Sequence, residues 1–545
     1  MRKLVLGLAL GDCVHVAGLH GFLRLAATAG YDVKFLGPAV PVDRAVAEIA
    51  RLRPEIAGIS YRLSPEAAGR ILGEFAERLR QAGLSEGQRL AFGGTPPVAR
   101  VAESTGLFER VFGGDVAEAE VLAYLSGEAV AQQRQIPPGK LLPRLAAAAP
   151  RPLLRHHFGV PSLEETVAGI AAIAEAGVLD VISIGPDQNA QACFFRQDQM
   201  DPAQDGAGGV PLRTAGDLRR LKAASARGNH PLLRCYSGTQ DVVRFAEVLS
   251  DTIDNAWAAI PLCWYNLLDS RGRRGVEESI GEAQLAMAWH AAQGIPVEVN
   301  EAHHWSLRDA PDTVAVAAAY LAAYNAKAAG VRDYIAQFMF NTPPGTSPRM
   351  DLAKMLAKLD LIGGLADEGF RVYRQVRAGL SSFPADPDLA RGHLASAVAQ
   401  AIALRPDIVH VVGYCEADHA ATAADVIASC KLARGVLNNL WHDSPDASLD
   451  QRVQERRREL VGEAAVLLAT VHDLGEGHPD PFIDPATLAK AIRLGLLDAP
   501  HLKGNPHAAG KVETALVEGA CRAVSGDRVL SEMERIEGLL AASHA

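Results

Sequence analysis

The stretch LVLGLAL, residues Leu4–Leu10, is followed directly by GDCVHVAG, residues Gly11–Gly18. A short apolar run bounded by a glycine is typical of a buried strand in a parallel sheet. Asp12, His15 and Gly18 then lie just past the carboxyl end of that strand, where the loops of α/β folds carry ligand-binding groups. The two segments together predict a first strand and a ligand-binding loop.

Strand and helix patterns alternate through residues 1–128, which predicts a doubly wound, flavodoxin-like parallel sheet. Ser60, Gly93 and Gly94 end the third and fourth of these strands, so we expect them at the same edge of the sheet as His15. The predicted strands are Leu4–Leu10, Asp32–Gly37, Glu55–Tyr61, Arg89–Gly94 and Arg110–Gly113.

Residues 129–150 contain Pro-Pro-Gly and a run of alanines, which predicts a linker. Strand and helix patterns resume over residues 151–440, and their number predicts a (β/α)8 TIM-type barrel. Residues 441–545 are predicted to be a helical extension that caps the barrel. The predicted barrel strands are Leu153–Gly159, Leu179–Gly185, Leu232–Gly238, Asn255–Leu262, Ile295–Glu301, Arg332–Phe340, Arg371–Arg377 and Asp407–Tyr414.

The composition and charge of the chain argue against two classes of binding partner, nucleic acids and membranes. A formal net charge of -10 over 545 residues argues against nucleic acid as the main partner. The seven cysteines show no CxxC spacing, which favours reduced thiols in a cytoplasmic protein. No segment has the roughly 18 consecutive apolar residues of a membrane helix, so we expect no membrane partner.

The order of Asp12, His15 and Gly18 resembles the cobalamin-binding motif Asp-x-His-x-x-Gly, with one extra residue before the histidine. With a barrel downstream, nearly the whole chain resembles adenosylcobalamin-dependent glutamate mutase (methylaspartate mutase), with its small subunit fused ahead of the barrel subunit. Leu233–Asp241 and Ser382–Pro387 are among the matching pieces of the barrel. The resemblance implies that His15 binds cobalt and that Asp12 accepts its other N–H. The remaining implied contacts of adenosylcobalamin are Gly18, Ser60, Gly93, Gly94 and Glu416.

The barrel strand ends carry the other candidate residues, because barrel active sites form there. The resemblance matches Arg234 to one of three arginines that bind substrate carboxylates, and Glu416 to a carboxylate near the cofactor ribose, which makes these two the predicted catalytic residues. The predicted substrate-binding residues are His157, Arg196, Arg234, Trp264, Tyr265, Glu301 and Arg374. Ala258 stands where the family carries the carboxylate for the substrate amino group. The sequence therefore predicts a carboxylate-bearing small-molecule substrate other than glutamate.

Three functions remain open at this point. The first is a cobalamin-dependent radical carbon-skeleton mutase, that is, an isomerase whose difficult chemistry belongs to the cofactor. The second is a corrinoid-dependent methyltransferase, and the third is a non-catalytic cobalamin sensor or carrier derived from a mutase. A pyridoxal-phosphate aminomutase is less favoured because the lysines fall in helical stretches. A homodimer is implied by the resemblance.

Overall fold

The computed structural model of the protein describes residues 3–84, 87–114, 116, 118–126, 136–442 and 444–544. The chain divides into two compact units, Met1–Gln135 and Ile136–Ala545. The predicted end of the first domain at residue 128, and residues 129–135 of the predicted linker, lie outside the described residues.

The first unit is built on a five-stranded parallel sheet in the order β2-β1-β3-β4-β5. From β1 the chain passes to β2 on one side and then crosses to β3 on the other. The carboxyl ends of β1 and β3 therefore flank the point where the loops diverge. The strands, all of them predicted from the sequence, are β1 Leu4–Leu10, β2 Asp32–Val40, β3 Ile56–Ser60, β4 Arg89–Gly94 and β5 Arg110–Gly113.

Helices cover both faces of this sheet. Helices α2, α3 and α4 share one hydrophobic cluster with Leu6, Leu8 and Ile59, whereas α1 and α5 share another with Val5 and Ile56. Burial of both faces explains why the central strands β1 and β3 are almost continuously apolar. The helices are α1 Ala17–Thr28, α2 Val42–Leu52, α3 Pro65–Gln81, α4 Pro96–Ser104 and α5 Glu118–Ser126.

The second unit contains an eight-stranded parallel sheet in the order β8-β7-β6-β13-β12-β11-β10-β9. The Ala256 N–H donates to the Leu233 carbonyl (2.9 Å) and the Ser237 N–H to the Ala259 carbonyl (3.3 Å), so the two edge strands meet and nearly close a barrel. All eight predicted strands are present. They are β6 Leu153–Phe158, β7 Val181–Ile184, β8 Leu232–Cys235, β9 Ala258–Ile260, β10 Val297–Val299, β11 Asp333–Phe340, β12 Arg371–Ala378 and β13 Ile408–His410.

The helix α6, Leu141–Ala148, corrects the prediction of a linker over residues 129–150. Its Leu141 is buried in one cluster with Leu153, Leu232 and Ile408, which form the apolar layer at the amino ends of the barrel strands. The buried Arg144 guanidinium donates to the carbonyls of Pro138, Asp180 and His230. The prediction was wrong because the alanine-rich run was taken for a spacer, although Leu141 and Leu145 have the spacing of a helical stripe.

The remaining barrel helices mostly alternate with the strands. They are α7 Leu163–Ala176, α8 Gln188–Cys193, α9 Ala215–Ser225, α10 Val242–Ile253, α11 Val276–Ala292, α12 Ala302–Ser306, α13 Asp312–Ala328, α14 Pro348–Gly363, α15 Pro387–Ala401 and α16 Ala423–Leu440. None of the helices within the described ranges combines the length and the apolar composition needed to cross a membrane.

The C-terminal region is largely helical, with α17 Gln451–Leu474, α18 Pro485–Leu494 and α19 Glu532–His544. Helix α17 contacts α13 and α14, and α18 contacts α11, so the region lies along the outer helices of the barrel. It reaches the carboxyl-end rim where the Asn505 side-chain amide donates to the Leu268 carbonyl (2.8 Å). The C-terminal region therefore packs mainly against the outer helices of the barrel, and it contacts the carboxyl-end rim, which it was predicted to cap, through Asn505.

A three-stranded antiparallel sheet, for which the sequence predicted no strands, interrupts this mostly helical region. Its strands are β14 Glu513–Val517, β15 Ala520–Ser525 and β16 Arg528–Val529. The first turn places Glu518 (φ 51°) and Gly519 (φ 81°) in the left-handed region, as two-residue hairpins require. Glu-Gly is a weaker turn signal than Asn-Gly, which is why the hairpin was missed.

Asp498 provides a test of how this region is held. Its fully buried carboxylate accepts from the backbone N–H groups of Ala499, Gly510, Lys511 and Val512 at 2.8–3.0 Å. Asp498→Ala leaves these donors without an acceptor, so we expect the free energy of unfolding to fall by about 3 kcal/mol.

Urea unfolding followed by circular dichroism measures this change. The control is Asp527→Ala in the exposed turn between β15 and β16, with an expected change within about 0.5 kcal/mol. Equal losses in both variants would contradict the assigned role of Asp498.

Candidate functional site

The loop between β1 and α1 presents the side chains of Asp12 and His15 to solvent. The Tyr61 hydroxyl donates to the Asp12 carboxylate (3.1 Å), and the Ser60 hydroxyl donates to the His15 carbonyl (3.4 Å). Burial and the Asp12 carboxylate both raise the pKa of Tyr61. Within the described residues no hydrogen bond joins Asp12 to His15, so the expected pairing is replaced by one with Tyr61. The end of β3 thus fixes the loop and leaves the His15 imidazole free.

A cavity of about 440 Å³ lies between α1 and α5, over the carboxyl halves of β3, β4 and β5. Its volume falls within the usual range for sites that bind small molecules and cofactors. Four of the predicted cofactor-binding residues line it, namely Gly18, Ser60, Gly93 and Gly94; its walls also include Gly21, Phe22, Gly58, Ala91, Phe112 and Val121.

The glycines and aromatic walls suit a flat ligand group. A Cβ added at Gly18 or at Gly93 would meet no atom within 4 Å, so side chains at these positions would extend into open space. Phe22 and Phe112 supply apolar wall surface, and the Ser60 hydroxyl supplies a polar group. These features fit the nucleotide tail of cobalamin, and His15, three residues before Gly18, is a free imidazole of the kind that binds a metal.

The barrel interior holds three buried guanidinium groups, those of Arg155, Arg234 and Arg377. Glu298 forms the one ion pair that reaches them within the described residues, from its Oε2 to Nη1 of Arg234 at 2.9 Å. Burial opposes ionisation of Glu298, but Arg234 and Arg155 hold its pKa below the ordinary value. Burial lowers the pKa of Arg155 to about 9, so it remains charged at neutral pH. The interior therefore carries an excess of positive charge.

Arg234 has unused hydrogen-bonding capacity. It is fully buried, yet its Nε and Nη2 have no hydrogen-bond partner among the described residues. Its guanidinium lies 4.9 Å from the ring centroid of Trp257, whose Nε1–H donates to Glu298 (2.7 Å). Unpaired buried donors are costly, and a planar guanidinium matches the two oxygens of a carboxylate. Arg234 is therefore suited to bind an anionic ligand.

Two histidines extend the polar interior. Arg155 contacts Nε2 of His157 and Nδ1 of His410, both at 2.9 Å, and the Tyr236 hydroxyl contacts the same His157 Nε2 at 2.8 Å. Because a guanidinium can only donate, the contacted nitrogen of each imidazole is an acceptor. Burial and then Arg155 hold the pKa of both histidines well below the ordinary value, so both are neutral.

Trp264, Tyr265 and Glu301 form a separate group on neighbouring strand ends. Trp264 packs edge-on against Trp305 (4.7 Å between centroids), and the Arg308 guanidinium lies 3.9 Å from the Trp264 ring centroid. Glu301 accepts from the Leu262 and Cys263 N–H groups and from the Trp305 indole N–H. Burial raises the pKa of Glu301 despite these bonds. Glu301 braces the loop after β9, and Trp264 and Tyr265 pack beside it.

Two predicted substrate arginines do not belong to the interior cluster. Arg374 pairs weakly with Asp407 (3.8 Å) and lines a surface hollow with Pro150 and Trp441, near the amino ends of the strands. Side chains alternate along a strand, so Arg374 and Arg377 point to opposite faces of β12, and the prediction for Arg374 is wrong.

Arg196 donates to Gln240 and to Asp241 (2.8 and 2.9 Å), which ties the segments after β7 and β8 together. Because the Arg196 guanidinium is already paired with Asp241, it links these two loops and is not free to bind a substrate carboxylate.

Glu416 lies exposed in the loop after β13. Desolvation raises the pKa of its carboxyl group, and the Arg377 guanidinium partly opposes that shift.

The sequence prediction missed most of the interior cluster, namely Arg155, Tyr236, Trp257, Glu298, Gln375 and His410. Two signals could have found it. Arg155 and His157 are two residues apart and so share a strand face. Glu298 is the one charged residue of the short strand β10, whose other residues are valines. Because a charged side chain is rarely buried without a partner of opposite charge, it predicts a buried arginine or lysine nearby.

No family model and no curated protein matches the sequence. A solved cobalamin-binding protein from Desulfitobacterium hafniense is 24% identical with a TM-score of 0.21, over 23% of this chain and 60% of that one. An enzyme targeting the pectin rhamnogalacturonan II is 8% identical (TM-score 0.31; 90% and 56% of the two chains). The cobalamin-dependent S-adenosylmethionine radical enzyme OxsB is 10% identical (TM-score 0.17; 88% and 63%). The chain thus spans less than two thirds of each of these proteins, and TM-scores this low establish no function.

The buried histidines make stability depend on pH. The pKa values of His156, His157, His303, His304 and His410 are all lowered from 6.5, chiefly by burial. Below pH 6.5 the unfolded chain binds protons that the folded protein does not. Folding stability therefore falls on acidification, by about 1.4 kcal/mol per pH unit for each histidine that stays neutral.

Urea unfolding between about pH 7 and pH 5 measures this slope. We expect His410→Asn to reduce proton uptake on unfolding by about one proton, because asparagine does not titrate. The asparagine oxygen can still accept a hydrogen bond from Arg155, so the variant should remain folded. His472→Asn, in an exposed side chain, is the control and should keep the wild-type slope. A wild-type slope in His410→Asn would show that this histidine is not held neutral.

Proposed function

We propose that this protein is a cobalamin-dependent enzyme in which the first unit binds the cofactor and the barrel binds a carboxylate-bearing substrate. The observation that carries the proposal is the cavity of the first unit, lined by Gly18, Ser60 and Gly93 and next in sequence to the free His15 imidazole. The sheet order is that of flavodoxin-like folds, in which ligands bind at the point where the strand order reverses.

Each residue of the first unit has a specific part in this proposal. His15 would bind the cobalt through its imidazole, and the hydrogen bond from Ser60 to its carbonyl positions the main chain of the loop. Gly18 and Gly93 leave room for the nucleotide tail, with Phe22 and Phe112 as its apolar walls. Tyr61 holds Asp12 beside the loop, where the carboxylate adds negative charge near the metal.

The barrel residues bind and orient an anion. Arg234 has two unpaired donors for a carboxylate, and Arg155 and Arg377 add positive charge that one Glu298 does not balance. A buried site also excludes water from reactive species. The carboxylates Glu298 and Glu301 are already engaged by Arg234, Trp257 and Trp305, which leaves neither free to take a substrate amino group. This favours a substrate other than glutamate.

We assign the reaction to carbon-skeleton rearrangement, so the enzyme is a mutase that uses adenosylcobalamin. The chemistry that adenosylcobalamin would supply to this site is hydrogen-atom transfer by a radical route. The protein's part would be to hold the substrate carboxylate on Arg234, and the Glu416 carboxylate would accept a hydrogen bond from a ribose hydroxyl of the cofactor. A homodimer acting on a small-molecule substrate completes the proposal.

The first test concerns the cofactor. Purified apoprotein is titrated with adenosylcobalamin and with methylcobalamin, and binding is followed by the visible absorption spectrum. We expect His15→Ala to weaken binding about 10–100-fold and to abolish the spectral change of axial replacement, because the imidazole is the metal ligand.

His20→Ala, an exposed histidine in the same unit, is the matched control and should bind as the wild type does. Unchanged affinity and spectrum in His15→Ala would refute the assigned ligand. Retention of methylcobalamin but not of adenosylcobalamin would instead support the methyltransferase.

The second test concerns the substrate site and uses two arginines of one strand. We expect Arg377→Gln to weaken binding of succinate about 10–100-fold, because a charge-assisted hydrogen bond contributes about 1.5–3 kcal/mol. Arg374→Gln, on the opposite face of β12, should leave the affinity unchanged. Isothermal titration calorimetry measures both. Equal affinities in the two variants would contradict anion binding by the interior cluster.

A further inference from the structure

A group of potential metal ligands lies at the carboxyl end of β13, and none of its members is one of the three buried arginines. Cys415 and His419 belong to the loop after this strand, and Asp425 to the first turn of α16. One ligand atom from each of the three side chains lies within 4.8 Å of the other two. Thiolate sulfur, imidazole nitrogen and carboxylate oxygen are the three donor types that bind zinc in proteins.

The imidazole of His419 is placed between two carboxylates. Its Nδ1 lies 2.9 Å from an oxygen of Asp418, and its Nε2 lies 3.2 Å from an oxygen of Asp425. A neutral ring has one N–H, so one of its nitrogens must then face a carboxylate oxygen with no proton between them. Either a second ring proton or a metal cation bound to Nε2 resolves this conflict. The bond from Nδ1–H to a carboxylate is the usual support of a metal-binding histidine.

His156 provides a second, independent observation. The residue is only 3% exposed, and its Nε2 has no hydrogen-bond partner in the part of the chain that the structure describes. Its Nδ1 faces the carbonyl of His157 and must carry the ring proton, so Nε2 has a free lone pair. A Cβ built on Gly413 would lie 3.3 Å from this Nε2 and 3.3 Å from Sγ of Cys415. The two atoms therefore face the same space, which a glycine leaves open.

Asp425 is held in place independently of any ion. Its Oδ2 accepts from the backbone N–H and the hydroxyl of Thr422 at the start of α16, and its Oδ1 accepts from the Tyr414 hydroxyl (2.7 Å). A ligand fixed by other bonds loses little conformational freedom when a metal binds. Asp425 is thus a preorganised oxygen ligand.

We propose that this protein binds one divalent metal ion, with zinc as the best match, through Cys415 Sγ, His419 Nε2, Asp425 and His156 Nε2. Cys415, His419 and Asp425 supply three ligand atoms within 4.8 Å of one another, and His156 Nε2, which faces the same space as Cys415 Sγ, would complete the four-ligand shell of a structural zinc site. Binding releases the thiol proton of Cys415, and any proton on His419 Nε2, to solvent. The ion would join β6, α16 and the loop that carries Glu416. The site does not depend on the proposed function, because none of its ligands is assigned to cobalamin or substrate.

The test uses the full-length protein prepared without cobalamin and freed of metal by a chelator. Zn²⁺ binding is measured by equilibrium dialysis with metal analysis, and Co²⁺ is added separately as a spectroscopic probe. We expect about one equivalent of Zn²⁺ and, with Co²⁺, the near-ultraviolet charge-transfer band of a thiolate ligand. Cys415→Ser should remove this band, and His419→Ala should weaken binding at least about tenfold.

Two control variants and one further variant sharpen the result. Cys193→Ser and His472→Ala, which change a cysteine and a histidine away from the site, should bind as the wild type does. Gly413→Ala places a methyl group between Sγ and the His156 Nε2, so it should also weaken binding.

Failure of the wild-type protein to bind about one equivalent of Zn²⁺ would overturn the proposal, and so would a thiolate band that persists in folded Cys415→Ser. His419→Ala keeps the proposal testable if Cys415→Ser does not fold, because its side chain is about half exposed. Unchanged affinity in Gly413→Ala would remove His156 from the ligand set. Loss of cobalamin binding in His15→Ala with zinc retained would separate this site from the proposed function.

Discussion

The carboxylate of Glu298 is the group on which the barrel interior depends. It accepts from Arg234 and from the Trp257 indole, and its charge also acts on Arg155. Three guanidinium groups buried together would repel one another strongly in a medium of low dielectric constant. One carboxylate reduces that repulsion without cancelling it, and the remaining positive charge is what makes the interior suitable for an anion. The ratio of one carboxylate to three guanidinium groups thus affects both the folding stability of the barrel and its capacity to bind an anion.

The sequence predicted the strands of both units well because most are short, largely apolar segments that alternate with helical patterns, although β6 and β12 also carry arginines. It failed where the pattern was ambiguous. Leu141 and Leu145 lie in an alanine-rich stretch that was taken for a linker, and the hairpin turn at Glu518 and Gly519 lacks the usual asparagine. Both errors concern short elements whose structure is fixed by packing against the barrel, which local sequence does not report.

The candidate sites show the same division. Ser60, Gly93 and Gly94 could be placed together from sequence because parallel strands end at one edge of a sheet. The buried arginines of the barrel could not be placed together from sequence, since the choice between Arg374 and Arg377 depends on which face of β12 points inward. The ligand group at Cys415 was also beyond sequence analysis, because His156 comes from a strand some 260 residues earlier in the chain.

Helix α6 determines from which end a small molecule could reach the interior of the barrel. Its leucines lie against the apolar layer at the amino ends of the strands, and Arg144 fastens it to the carbonyls of Asp180 and His230. The amino ends of the barrel strands are therefore covered by α6 and the apolar layer beneath it. A molecule bound at the buried arginines would then enter and leave at the carboxyl-end loops, so substitutions in those loops would change its rates of binding and release together.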